Sequence, residues 1–235
     1  MPMKKILLLT LLSVSFLSQG QNKKLDSLYA SLKQYNKEDS IKVKLIFSIC
    51  RVEIFLNRDA IPKLANEALK ISQKINFTNG IGFSYTYLVL YHRANGEYDQ
   101  VADYALKMVD VFEHSTNADG LGQAYNMLGV ANFETKNFDR AQYYQEKSLE
   151  VHGRSGQRYD MSRNYMNLGM IFSETLRHDE AIASFEKSLA ISEEFKNEEG
   201  IFNAYVNLAQ AYLKRETQGF KSTLLHHFMP GFLLS

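Results

Sequence analysis

The sequence predicts an all-α protein, a right-handed superhelix (α-solenoid) of stacked antiparallel helix pairs. Three observations carry this. Apolar residues recur three and four apart through most of the chain, as one buried helix face requires. From Ile41 the pattern repeats every 40 residues without a gap. Only three prolines stand in 235 residues, so long helices meet few interruptions.

The first twenty residues are set apart from the fold. Lys4 and Lys5 precede an apolar run from Ile6 to Leu17, and Ser18, Gln19 and Gly20 follow. That order of basic, apolar and small residues is a secretory signal peptide, and the run is shorter than the roughly 20 residues a membrane span needs. Residues 1–20 are therefore expected to be removed, leaving a periplasmic or secreted chain with no membrane insertion; retention as an uncleaved anchor is the competing reading. Residues 21–40 follow as a capping helix, with Leu25, Leu28, Tyr29, Leu32 and Tyr35 at helical spacing.

The array runs over 41–215, in blocks 41–80, 81–120, 121–160 and 161–200 with a partial block 201–215. Place five holds Leu45, Tyr85, Tyr125, Tyr165 and Tyr205; place eight holds Ser48, Leu88, Leu128, Leu168 and Leu208. Gly129, Gly169 and Ala209 at place nine let a neighbouring helix approach closely. Asp59, Asp99, Asp139 and Asp179 are expected to cap a second helix in each block, whose apolar columns include Leu69, Val109, Leu149 and Leu189. Gly80, Gly120 and Gly200 are expected to terminate those second helices. Neither helix of a pair can hide its apolar stripe alone, so consecutive pairs must stack. Residues 216–235 read as a degenerate or truncated tail. Gly219 replaces the aspartate, Lys221 replaces an apolar column, and Pro230–Gly231 ends any helix begun there.

Composition narrows function. Lys+Arg number 27 against 26 Asp+Glu, for a formal net charge of +1 with no long basic run, so nucleic acid is not an expected partner. One cysteine, Cys50, cannot make an internal disulfide; among Ile46, Ile49 and Ile54 it reads as an inert, partly buried thiol. Of six histidines, none pairs at four-residue spacing, so no metal site is expected. His178 reads as a loop residue and His152 as a solvated helix residue. Glu193–Glu194 and Glu198–Glu199 are adjacent pairs that diverge on a helix and read as solvated. No phosphate cradle or nucleophile elbow is present, so no catalytic residue, no cofactor and no enzymatic activity are expected.

Tyr165, Leu168–Gly169, Phe172, Ala181, Phe185 and Ser188 resemble the tetratricopeptide repeat signature of L-G, an aromatic residue, then A-x3-F. The resemblance is strongest over 161–200, good over 121–160 and looser before that. The period departs from the family's 34 residues, and the family's proline after the second helix is absent. Long-period arrays behind a signal peptide and an opening such as Leu25–Asp26–Ser27–Leu28 resemble the exported sensory segments of Bacteroidetes histidine kinases and regulators. In that family an asparagine just before the L-G pair faces a concave groove and binds peptide backbone. The resemblance implies this role for Asn167 and Asn207, with Asn126 one place earlier in its block and Tyr87 making one end aromatic. The expected function is exported, non-enzymatic binding of a protein or peptide partner in that groove. The alternative is a truncated sensory input domain of a signal-transducing kinase or transcriptional regulator.

Overall fold

The computed structural model describes residues 23–228, with side chains described as far as 218. The expected leader 1–20 and the last residues of the tail lie outside them. Among the described residues every regular element is helical. They are α1 (23–34), α2 (Ser40–Leu56), a 3₁₀ turn (Arg58–Ala60), α3 (Ile61–Lys74), α4 (Thr78–Ala94) and α5 (Tyr98–Glu113). Then come α6 (Ala118–Glu134), α7 (Phe138–Ser155), α8 (Arg158–Glu174), α9 (His178–Glu194) and α10 (Glu198–Phe228). Two compact units divide at Val111/Phe112.

In the first unit, Val43, Ile46, Ile49 and Cys50 of α2 meet Ile61, Leu64, Ala68 and Ile71 of α3 in one core. Leu25, Leu28 and Leu32 of α1 lie against it. Asp39 caps α2, accepting from the Ile41 and Lys42 amides at 2.9 and 3.1 Å. α4 meets α5 through Tyr85 and Tyr104, whose ring centroids are 6.0 Å apart, and through His92 stacked on Tyr104 at 5.3 Å.

In the second unit α6 pairs with α7, α8 with α9, and α10 lies against α9. Leu168 and Phe172 of α8, Ala181, Ile182 and Phe185 of α9, and Leu208 and Ala211 of α10 make a core to which Leu149 and Tyr165 are added. The place-nine glycines do what their column requires. A Cβ at Gly169 would collide with the Phe185 ring, and one at Gly129 with the Gln145 side chain.

Two sequence expectations need correction. Gly80, Gly120 and Gly200 do not end helices; they stand in the first turns of α4, α6 and α10. There they are packed on Ser72, Phe112 and Ser192, where any Cβ would collide. The chain reverses instead through single left-handed residues: Asn76, Gly96, Lys136, Gly156, Leu176 and Lys196, with φ between 52° and 73°. After each, the next amide returns to the carbonyl five residues back, as from Arg177 to Phe172 at 2.8 Å and from Asn137 to Asn132 at 2.7 Å. The second correction concerns Asp99, Asp139 and Asp179, which lie inside the first turns of α5, α7 and α9. They act on the positive end of the helix dipole, not as caps; α7 is capped by Asn137.

The last block has no separate second helix among the described residues: α10 continues through Gly219 to Phe228. The side chains of α10 that such a helix would cover are exposed, among them Phe202 (67%), Tyr205 and Leu213.

Glycine packing gives a paired test. Gly169→Ala is expected to destabilise by about 1–3 kcal/mol, because the Phe185 ring must shift inside a filled core. Gly153→Ala, in α7 with nothing near its missing Cβ, is expected to stabilise by about 0.5–1 kcal/mol through helix propensity. Urea unfolding of both variants measures the difference.

Candidate ligand face and buried polar node

The predicted groove residues separate into two kinds. Tyr87 is committed to packing in the first unit: its hydroxyl donates to the Phe47 carbonyl at 3.1 Å and its ring lies 5.5 Å from that of Phe47. Asn126 is also engaged, since its side-chain amide donates to Gln145 Oε1 at 3.2 Å while its main-chain carbonyl accepts from Gln145 Nε2 at 3.1 Å. Both are therefore structural, because the second helix or the neighbouring first helix offers the partner that a groove ligand was expected to supply.

Asn167 and Asn207 are placed differently. Both are half-buried, on α8 and α10. Asn207 donates to the Asn203 carbonyl of its own helix at 2.8 Å and reaches Met166 Sδ at 3.6 Å, which seats it beside α8. No side-chain hydrogen bond engages Asn167 among the described residues. Met166 and Met170 are partly buried against the core of this unit, and Met170 stands one turn from Asn167 on α8. The result is a patch of thioether and amide groups shared by α8 and α10. Its amides offer donors and acceptors, and its methionines adapt to irregular apolar shapes.

Beneath α6 and α8 the sequence reading missed a buried polar node. Gln145 stands where the next block has Phe185, and His152 where other blocks have Ser72, Phe112 and Ser192, a column buried throughout. His152 is 2% exposed and not solvated as expected. The hydrogen bonds fix every orientation. Gln145 Nε2 donates to the Asn126 carbonyl, so its Oε1 accepts from Asn126 and from Asn164 Nδ2 at 2.9 Å. Asn164 Oδ1 must then accept, and the donor is His152 Nδ1 at 2.8 Å. Ser148 donates to the Gly122 carbonyl at 2.7 Å. Ser188 makes the same bond to the Ser162 carbonyl one block later, at 2.9 Å. The column comparison is the signal that would have found the node: a histidine and a glutamine in columns that are otherwise small or apolar.

The other singled-out groups are structural. Cys50 is fully buried, and burial pushes its thiol up to about 12, far from the range of a nucleophile. His178 is the first residue of α9 and is buried, which corrects its reading as a loop residue. Glu194 is exposed and paired with Arg158 at 2.8 Å.

Comparison with known proteins agrees with this architecture. Tetratricopeptide repeat models match residues 121–155 and 160–218, and no curated protein matches in sequence. BtubC (BKLC) from P. vanneervenii has the same fold at 17% identity and a TM-score of 0.69, with 91% of each chain covered. RapI in its apo form matches at 14% identity and a TM-score of 0.70, over 92% of this chain and 87% of its own. A signal transduction ATPase with numerous domains from Pyrococcus horikoshii, which carries a tetratricopeptide repeat sensor, matches at 16% identity and a TM-score of 0.72. The match covers 86% of this chain and 32% of that one.

Gln145→Leu is expected to destabilise by about 1–3 kcal/mol, since the buried Asn164 amide loses its acceptor, and denaturant unfolding against wild type reads the cost. Cys50 should resist thiol reagents in the native protein and react fully in denaturant; rapid native labelling would contradict its burial.

Proposed function

We propose that this tetratricopeptide-repeat chain is a non-enzymatic interaction scaffold that holds an extended segment of a partner protein along α8 and α10. The observation that carries the reading is Asn167, a half-buried amide with no side-chain hydrogen bond among the described residues, with Met170 one turn away on α8 and Asn207 of α10 reaching Met166. An extended peptide leaves backbone N–H and C=O groups unpaired, and an asparagine amide meets one of each. The repeat family and the fold shared with BtubC and RapI support a protein partner. The basic, apolar, small-residue order of 1–20 supports action outside the cytoplasm. Leu25–Asp26–Ser27–Leu28 after that leader supports a second reading, in which the same binding feeds a signalling output. A reading frame for a membrane span and a kinase immediately downstream in the genome would favour it.

The binding reading is tested with peptides selected from a displayed random library on the full chain. Asn167→Ala combined with Asn207→Ala is expected to weaken the selected peptide by roughly 0.5–1.5 kcal/mol per lost contact in calorimetry. Unchanged affinity with an unchanged helical spectrum would remove the patch from consideration. For export, the intact mass of protein from the native host's periplasm is expected to lack residues 1–20, and Met1 retained in a membrane pellet would overturn that.

A further inference from the structure

The polar node ends in an atom without a partner. His152 donates through Nδ1 to Asn164, and its other ring nitrogen, Nε2, is buried with no hydrogen bond among the described residues. An orphaned polar atom at that depth costs stability unless something else meets it. The groups around it are acidic. A ring nitrogen of His152 and a carboxylate oxygen from each of Asp119 and Asp160 all lie within 4.8 Å of one another.

The repeat pattern shows that this is a coupled departure. At the last place of their blocks the chain has Gly80, Gly120 and Gly200, each packed on the buried column residue Ser72, Phe112 or Ser192. The block with His152 in that column alone has Asp160 in the glycine's place. Asp119 comes from the first turn of α6, Asp160 from the first turn of α8, and His152 from the last turn of α7. Gly122 on α6 has no Cβ that would block the imidazole. Each ligand is also steadied from behind: Nδ1 by Asn164, and Asp119 by Gln123 Nε2 at 3.0 Å. Arg163 meets Asp160 at 3.3 Å from the exposed side. An imidazole whose other nitrogen donates to a fixed carbonyl oxygen is the arrangement that orients a histidine toward a metal.

We infer that Asp119, His152 and Asp160 form a binding site for a first-row divalent cation, with zinc the best fit to one imidazole and two carboxylates. Two carboxylates balance the charge of the ion, and three protein ligands leave a fourth position open. Zinc bonds of about 2.0–2.2 Å bring ligand atoms to roughly 3.0–3.5 Å from one another. Asp119 and Asp160, both half-buried, would close on the ion from the observed spread.

The test titrates zinc chloride into full-length chain stripped with EDTA, followed by calorimetry and elemental analysis. One zinc per chain is expected, with the melting temperature rising on addition. Asp119→Asn and Asp160→Asn are expected to weaken binding at least about tenfold each and about a hundredfold together, with unchanged helical spectra. Two-bond imidazole NMR of the wild type should show the His152 Nε2 resonance moving on zinc addition while Nδ1 keeps its proton. Undiminished stoichiometry and affinity in the double variant would place the zinc elsewhere and overturn the site. So would a wild-type His152 Nε2 that does not respond to zinc, or one already protonated as an imidazolium between the two carboxylates.

Discussion

Phe185 can lie on the backbone of α8 only because residue 169 carries no side chain. That close approach of the two helices within a pair is the constraint on which the second unit depends. With α8 and α9 in contact, Leu168, Phe172, Ala181 and Ile182 are buried, and α10 has an apolar floor on which to lay Leu208 and Ala211. In the preceding pair the same column has Gly129, and the residue laid against it is Gln145. Geometry is kept while chemistry changes, since a glutamine buried at a helix contact must have all its hydrogen-bonding groups met. Asn126 and Asn164 meet them, and Asn164 in turn fixes His152. One substitution in a packing column thus propagates through three helices as a chain of oriented dipoles.

The fold was legible because repetition turns weak local signals into columns. No single leucine identifies a helix pair, but Leu88, Leu128, Leu168 and Leu208 at one place in successive blocks do. Boundaries were read less well, since aspartate favours both a cap and a first turn. Glycine, likewise, serves both as a terminator and as a contact point. The left-handed positions that actually end the helices are held by Asn76, Lys136, Leu176 and Lys196 as well as by Gly96 and Gly156. Composition therefore gave them no mark.

The candidate site was legible in part. Asn167 and Asn207 follow from the column before the L-G pair, whereas Tyr87 in the same column is absorbed by Phe47, an aromatic neighbour one block earlier. His152 escaped because it was read against its neighbours in sequence. Its place in the period, shared with Ser72, Phe112 and Ser192, already marked it as interior.

The turns have a consequence for the dimensions of the helix faces. α8 and α9 have 17 residues each, and three residues separate α8 from α9 and α9 from α10. A 34-residue repeat with comparable turns has about three residues less in each helix, so each helix here is longer by roughly 4.5 Å. The added length is nearly one helical turn, enough for one more row of side chains on each helix face. Terminal turns are where Asp119, His152 and Asp160 stand. A longer period therefore gives this array a margin at the helix ends in which chemistry can vary without disturbing the helix contacts beneath.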